Sequence, residues 1–159
     1  MKQTAICFFV AGTPAGQPRV KASARGKFIT IYTPKTVTNS KGRHRHPAAV
    51  WKEQIAATWE QARPAGFVPI TGPLKLTLSF FLARPKSHFN SKGNLKPTAP
   101  NFAPKKPDFD NLEKAVADQL TNSGAWEDDD QVCISITVKR YADSADASGC
   151  EIQFEILPE

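Results

Sequence analysis

The sequence predicts an α+β domain in which a mixed sheet carries two main helices, with residues 1–159 forming one unit. Three observations predict it. Short apolar or alternating runs bounded by Gly- and Pro-containing turns mark strands. Two longer segments with apolar residues every three or four positions mark helices. The order β, β, α, β, α, β, β then sets helices on a sheet. A chain of this length buries about 70% of its unfolded surface around one core, so no covalent staple is required. Cys7, Cys133 and Cys150 are odd in number and have no metal-ligand spacing, which points away from a disulfide framework or a zinc site and towards a reducing cytoplasm.

Met1-Lys2-Gln3-Thr4 precedes only the short apolar run Ala5–Ala11, too short for a secretory leader or a membrane span. Within it, Ile6–Val10 reads as a buried strand ending at Gly12-Thr13-Pro14. Residues 12–27 are basic and too rich in Gly and Pro for a helix, so they read as a loop. Phe28–Tyr32 is a second short strand, and Lys41–His46 is a basic stretch whose histidines have no partner ligands. Pro47 suits the first turn of a helix. Trp51, Ile55 and Trp59 recur at helical spacing until Arg63-Pro64, giving a helix over 47–62 with these residues in the core.

Leu74, Leu76, Leu78, Phe80 and Leu82 alternate with Lys75, Thr77, Ser79 and Phe81, the period of a long strand with one buried face. Residues 84–106 mix Pro85, Pro97, Pro100 and Pro104 with five lysines and read as a mobile basic loop, longer than an ordinary connection. Leu112, Val116 and Leu120, followed by Gly124, mark a helix from about Asn111 to Asn122. Asp110 and Glu113 form a variant capping box at its start. The alternation from Val132 to Lys139 marks another strand, and Ile152, Phe154 and Ile156 a last one.

Charge is segregated. Residues 1–100 carry sixteen Lys/Arg against Glu53 and Glu60, whereas residues 101–159 carry five against thirteen Asp/Glu. A polyanion-binding half joined to a cation-binding half accounts for this, because phosphate contacts supply most non-specific nucleic-acid affinity. Arg19 and Lys21 in the first loop, and Lys105 and Lys106 further on, are the expected DNA contacts.

The acidic half contains Asp108 and Asp110 where an extended segment becomes a helix, then Asp118, then the triplet Asp128-Asp129-Asp130 before a strand. Taken alone, Asp-x-Asp at a helix start is an N-cap and an aspartate triplet is a solvated turn. Paired across one helix, with Lys114 one turn beyond Asp110, they form a candidate cation site. Clustered carboxylates repel unless a cation holds them, and Mg²⁺, with Mn²⁺ as a substitute, is the usual choice where carboxylates meet phosphate.

Pro107-Asp108-Phe109-Asp110-Asn111-Leu112-Glu113-Lys114-Ala115, then Asp118, Leu120, Trp126 and Asp128-Asp129-Asp130-Gln131-Val132 resemble the signature of the RusA family of crossover-junction endodeoxyribonucleases, D-x-D-N-L-x-K followed by D-D-x-Q-V. The resemblance is specific over about residues 105–140. It implies a small homodimeric enzyme of phage or prophage origin that nicks opposed strands of a four-way DNA junction with Mg²⁺. By position, Asp108 and Asp110 match the paired metal ligands, Lys114 the active-site lysine and Asp129 the third aspartate. Here the pair is extended to a triplet, so the third ligand is assigned by anchoring to Gln131-Val132. A nuclease for flaps, forks or structured RNA would carry the same residues, since no base-reading element is evident. A catalytically silent DNA-binding homologue would have no need to retain all three acidic positions and Lys114.

Overall fold

In a computed structural model that describes residues 5–158, α1 spans Pro47–Ala62 as expected. His46 caps it, its Nδ1 accepting from the Ala48 amide at 3.1 Å. Trp51, Ile55 and Trp59 are fully buried. The leader-free reading of Met1–Thr4 lies outside the described residues, as does Glu159. No described helix is long and apolar enough to cross a membrane.

The main sheet has four strands, β1 (Ile6–Ala11), β6 (Leu74–Leu82), β7 (Val132–Tyr141) and β8 (Gly149–Ile156), in the order β1-β8-β6-β7. β8 runs antiparallel to both neighbours, and β6 pairs parallel with β7. A parallel pair needs a crossover, and α2 (Phe109–Asn122) supplies it between these two strands. Leu112, Val116 and Leu120 of α2 join Leu74, Leu76, Leu78 and Phe80 of β6 and Ile152 and Phe154 of β8 in one core. Both helices therefore cover one face of the sheet and leave the other open.

β7 inverts the usual relation between alternation and burial. Its register with β6 pairs Leu76 with Ser135 and Leu78 with Thr137 on the helix side, and Lys75 with Ile134 and Thr77 with Ile136 on the open side. Ile134 and Ile136 are consequently 44% and 45% exposed. The polar set faces inward because this stretch of β7 borders a cavity rather than the core.

Two segments differ from the sequence reading. Residues 12–27 are not loop throughout: β2 (Lys21–Arg25) pairs with β3 (Phe28–Tyr32) across the two-residue turn Gly26-Lys27, with Gly26 at φ 60°. The basic stretch before α1 is also half of a hairpin, β4 (Thr36–Asn39) against β5 (Gly42–Arg45). Alternation over four or five residues without a buried face left little signal for either. Residues 84–106, read as a mobile loop, carry structure of their own. Lys86–His88 form a 3-10 turn, Phe89 bridges Leu95, Arg84 donates to the Pro100 carbonyl at 2.7 Å, and Phe102 bridges Arg140 of β7.

Trp59 ties these layers together. Its ring lies 5.7 Å from Phe8, 5.0 Å from Phe67 and 5.6 Å from Phe154, and its Nε1 donates to the Ser123 carbonyl at 3.1 Å. Trp59→Ala should lower stability by about 3–5 kcal/mol in urea unfolding; a loss under about 1 kcal/mol would show that α1 is not packed as described.

Candidate active site

The acidic residues gather on the solvent flank of α2 because its apolar stripe is committed to the core. Asp108 is the N-cap of α2, in extended conformation (φ −69°, ψ 142°), yet its side chain makes no capping bond. Such a bond ordinarily contributes ~1 kcal/mol, so the helix forgoes it and the carboxylate stays available. The capping box expected at Asp110 and Glu113 is not formed. Asp110 lies within the first turn, and Glu113 instead accepts from Thr137 Oγ1 of β7 at 2.6 Å.

One cavity of about 350 Å³ runs along this flank, with Asp110, Glu113, Lys114 and Asp118 of α2 on one wall and Asp129 and Ser135 on the other. An adjoining open cleft of about 680 Å³ shares Asp110 and adds Asp108, Lys105, Lys106 and Lys139. A third hollow joins Asp108 to Arg19, Gln17 and Lys106. Asp108, Asp110, Lys114, Asp129, Arg19, Lys105 and Lys106 thus line a connected groove, whereas Lys21 lies beyond it on β2.

The triplet is not an extended segment, so strand alternation does not sort it. Asp129–Gln131 form a 3-10 turn capped by Asp128, whose side chain accepts from the Asp130 amide at 3.3 Å. Gln131 fixes the turn from both ends. Its side-chain oxygen accepts from the Glu127 and Asp128 amides at 2.9 and 2.8 Å, and its nitrogen donates to the Ile70 and Gly72 carbonyls at 2.9 and 3.0 Å. Asp128 is occupied as a cap, and Asp129 is the member of the triplet that faces Asp110 and Lys114 across the cavity. A hydrogen bond that the protonated Asp129 carboxyl donates to the Asp128 carboxylate raises the Asp129 pKa, reinforced by burial and by the charges of Asp128 and Asp118, while Lys114 opposes the shift.

Four lining residues were not singled out from sequence. Lys139, an inward position of β7, donates from Nζ to the Lys105 carbonyl and, at 2.7 Å, to the Pro107 carbonyl, pinning the chain that presents Asp108. Lys52 of α1 approaches Asp118 at 4.0 Å; burial lowers its pKa, as does Lys114, against the pull of Asp118. Glu113 was placed in a cap. Gln17 lines a hollow with Lys52, Asp118 and Asp129, and its Oε1 is buried with no partner among the described residues. The available signal was the Gly16-Gln17-Pro18-Arg19 turn. Gln17 donates its amide to the Asn111 carbonyl at 2.9 Å, and a Cβ on Gly16 would meet the Asn111 Cβ at 3.0 Å. Glycine thus lets this loop lie against the first turn of α2.

Among the described residues, no three His, Cys, Asp or Glu side chains stand close enough to enclose one metal ion. The donor set nevertheless fits Mg²⁺, which retains several waters and takes one or two carboxylates together with substrate phosphate. Hard oxygens from Asp110 and Asp129 on facing walls, Asp108 at the adjoining mouth and the unpartnered Gln17 oxygen are of that kind.

A family model described as endodeoxyribonuclease RusA matches residues 11–154, well beyond the 105–140 segment that carries the motif. No curated protein matches the chain.

Asp128→Asn keeps an oxygen for the cap and removes the neighbouring charge. The Asp129 carboxyl titration, followed by carbon NMR without metal, should move to lower pH, because the group that raises its pKa has been neutralised. An unmoved midpoint would assign the shift to another cause.

Proposed function

Because the chain belongs to the RusA endodeoxyribonuclease family, we propose that it is a divalent-metal-dependent endonuclease that resolves four-way (Holliday) DNA junctions by paired nicks in recombination and repair. The observation that carries this reading is the shared cavity of Asp110, Lys114 and Asp129, opening beside a cleft lined by Lys105, Lys106 and Lys139. Carboxylates alone would repel DNA, and lysines alone would bind it without chemistry. Their adjacency suits a phosphodiester brought up to a cation.

Asp110 and Asp129, with Asp108 from the adjoining cleft, would hold Mg²⁺, or Mn²⁺ in its place, partly through retained waters, and the ion would supply an activated water and neutralise charge on the scissile phosphate. Lys114, one helical turn from Asp110, stabilises charge developing on that phosphate. Arg19, Lys21, Lys105 and Lys106 contact flanking phosphates, and Lys139 holds the segment before Asp108 in position. A homodimer matches the approximate two-fold symmetry of a four-way junction and presents one site to each opposed strand. The exposed Ile134 and Ile136 on edge strand β7 are a surface on which a second copy can pack. Such an enzyme works in the cytoplasm, where DNA and free Mg²⁺ meet.

The test is single-turnover cleavage of a synthetic four-way junction with Mg²⁺, beside fork and linear duplex controls. Wild type should introduce paired nicks in the junction. Asp110→Asn and Asp129→Asn should each lower the rate by at least about a hundredfold while leaving junction binding intact, and Asp130→Asn should retain most activity. Preferred cutting of forks would reassign the substrate. Wild-type rates for Asp110→Asn and Asp129→Asn would remove them from the chemistry.

A further inference from the structure

The ribbon β2–β3 belongs to neither the core nor the catalytic groove. Its strands pair with each other and with no strand of the main sheet, and every residue in both is exposed. An isolated two-stranded ribbon is marginally stable in water, and large side chains left bare on one call for a partner. Phe28 is 80% exposed and Tyr32 46%.

The register sorts the two faces, because directly opposed residues share a side and successive ones alternate. One face consists of Ala22, Ala24, Ile29 and Ile31. The other stacks three cross-strand pairs, Lys21 with Tyr32, Ser23 with Thr30, and Arg25 with Phe28. Each aromatic ring on this face therefore stands beside a cation, with hydroxyls between them. The chain that forms the ribbon and its flanks carries only basic charge, since no Asp or Glu precedes Glu53. The ribbon is also rooted at the groove: the Gln17 amide donates to the Asn111 carbonyl, Arg19 lines the hollow beside Asp108, and β2 begins at Lys21.

We propose that the Lys21/Arg25/Phe28/Tyr32 face of this ribbon is a platform for single-stranded DNA at the branch point, with unpaired bases stacking on Phe28 and Tyr32 and their phosphates held by Lys21 and Arg25. Aromatic rings flanked by cations favour unpaired nucleic acid because a base offers its π-face only when unstacked. Four strand residues separate the two rings by about 13 Å, a span suited to a splayed strand rather than bases stacked at ~3.4 Å. The ribbon therefore selects branched over linear DNA, while the groove performs the chemistry. This assignment rests on the nuclease reading above for its biological context but not for its test.

The test measures binding of the full chain, without divalent metal, to a fork carrying 2-aminopurine at the first unpaired position and to a linear duplex of equal length. Phe28→Ala/Tyr32→Ala should bind the fork at least about tenfold more weakly, abolish the 2-aminopurine change and leave duplex binding within about twofold, with an unaltered circular dichroism spectrum and melting temperature. Ile29→Ala/Ile31→Ala, on the opposite face, should bind both substrates as wild type does. Equal loss on fork and duplex, an unchanged fluorescence response, or loss with the isoleucine variant alone would overturn the proposal, the last assigning the ribbon to a protein partner or a second copy. Because no cleavage is measured, a chain that failed to cut junctions would still report on the ribbon.

Discussion

The burial of Leu112, Val116 and Leu120 against β6 and β8 fixes the rest of the site. Once that stripe is committed, residues at the opposite helical phase have no choice but solvent, and Asp110, Lys114 and Asp118 follow one another along one flank. The parallel pairing of β6 with β7 requires the chain to return beside the helix. That return delivers the acidic turn to the same flank. The geometry of the candidate site is thus a by-product of a crossover whose driving force is apolar burial, with Gln131 and Lys139 as polar clamps at the two places where loops meet it.

The core elements were legible because their signals are long and redundant. The 47–62 helix and the 74–82 strand have the bounds that the sequence predicts, and the second helix differs only in starting two residues earlier, at Phe109. Family membership was also legible, since the motif over 107–132 is specific and the match spans 11–154. The two hairpins were not. Phe28–Tyr32 was read as a strand with the bounds it has, but its partner β2 and both strands of the second hairpin bury too little for an alternation of apolar and polar residues to mark them. The cap assignment at Asp110 failed because the helix starts earlier, with Asp108 as its N-cap, which puts Asp110 inside the first turn and leaves Glu113 to accept from Thr137.

On β7 a bordering cavity distorts the pattern. The strand's apolar alternation is genuine, but the inward face is Ser135, Thr137 and Lys139 because that side borders the groove. The apolar set is left on the open face of an edge strand, a position ordinarily blunted by charge or covered by a partner. Large apolar side chains are also exposed on the β2–β3 ribbon, which lies outside the main sheet.

In the proposed function, the α2–β7 groove is where a divalent cation and the DNA phosphate meet. Paramagnetic relaxation by substoichiometric Mn²⁺, read residue by residue in amide NMR spectra, tests this without relying on activity. Broadening should concentrate at residues 108–118 and 127–135, be reversed by excess Mg²⁺ and disappear in Asp110→Asn/Asp129→Asn. Broadening centred elsewhere, or unchanged in the double variant, would contradict the account.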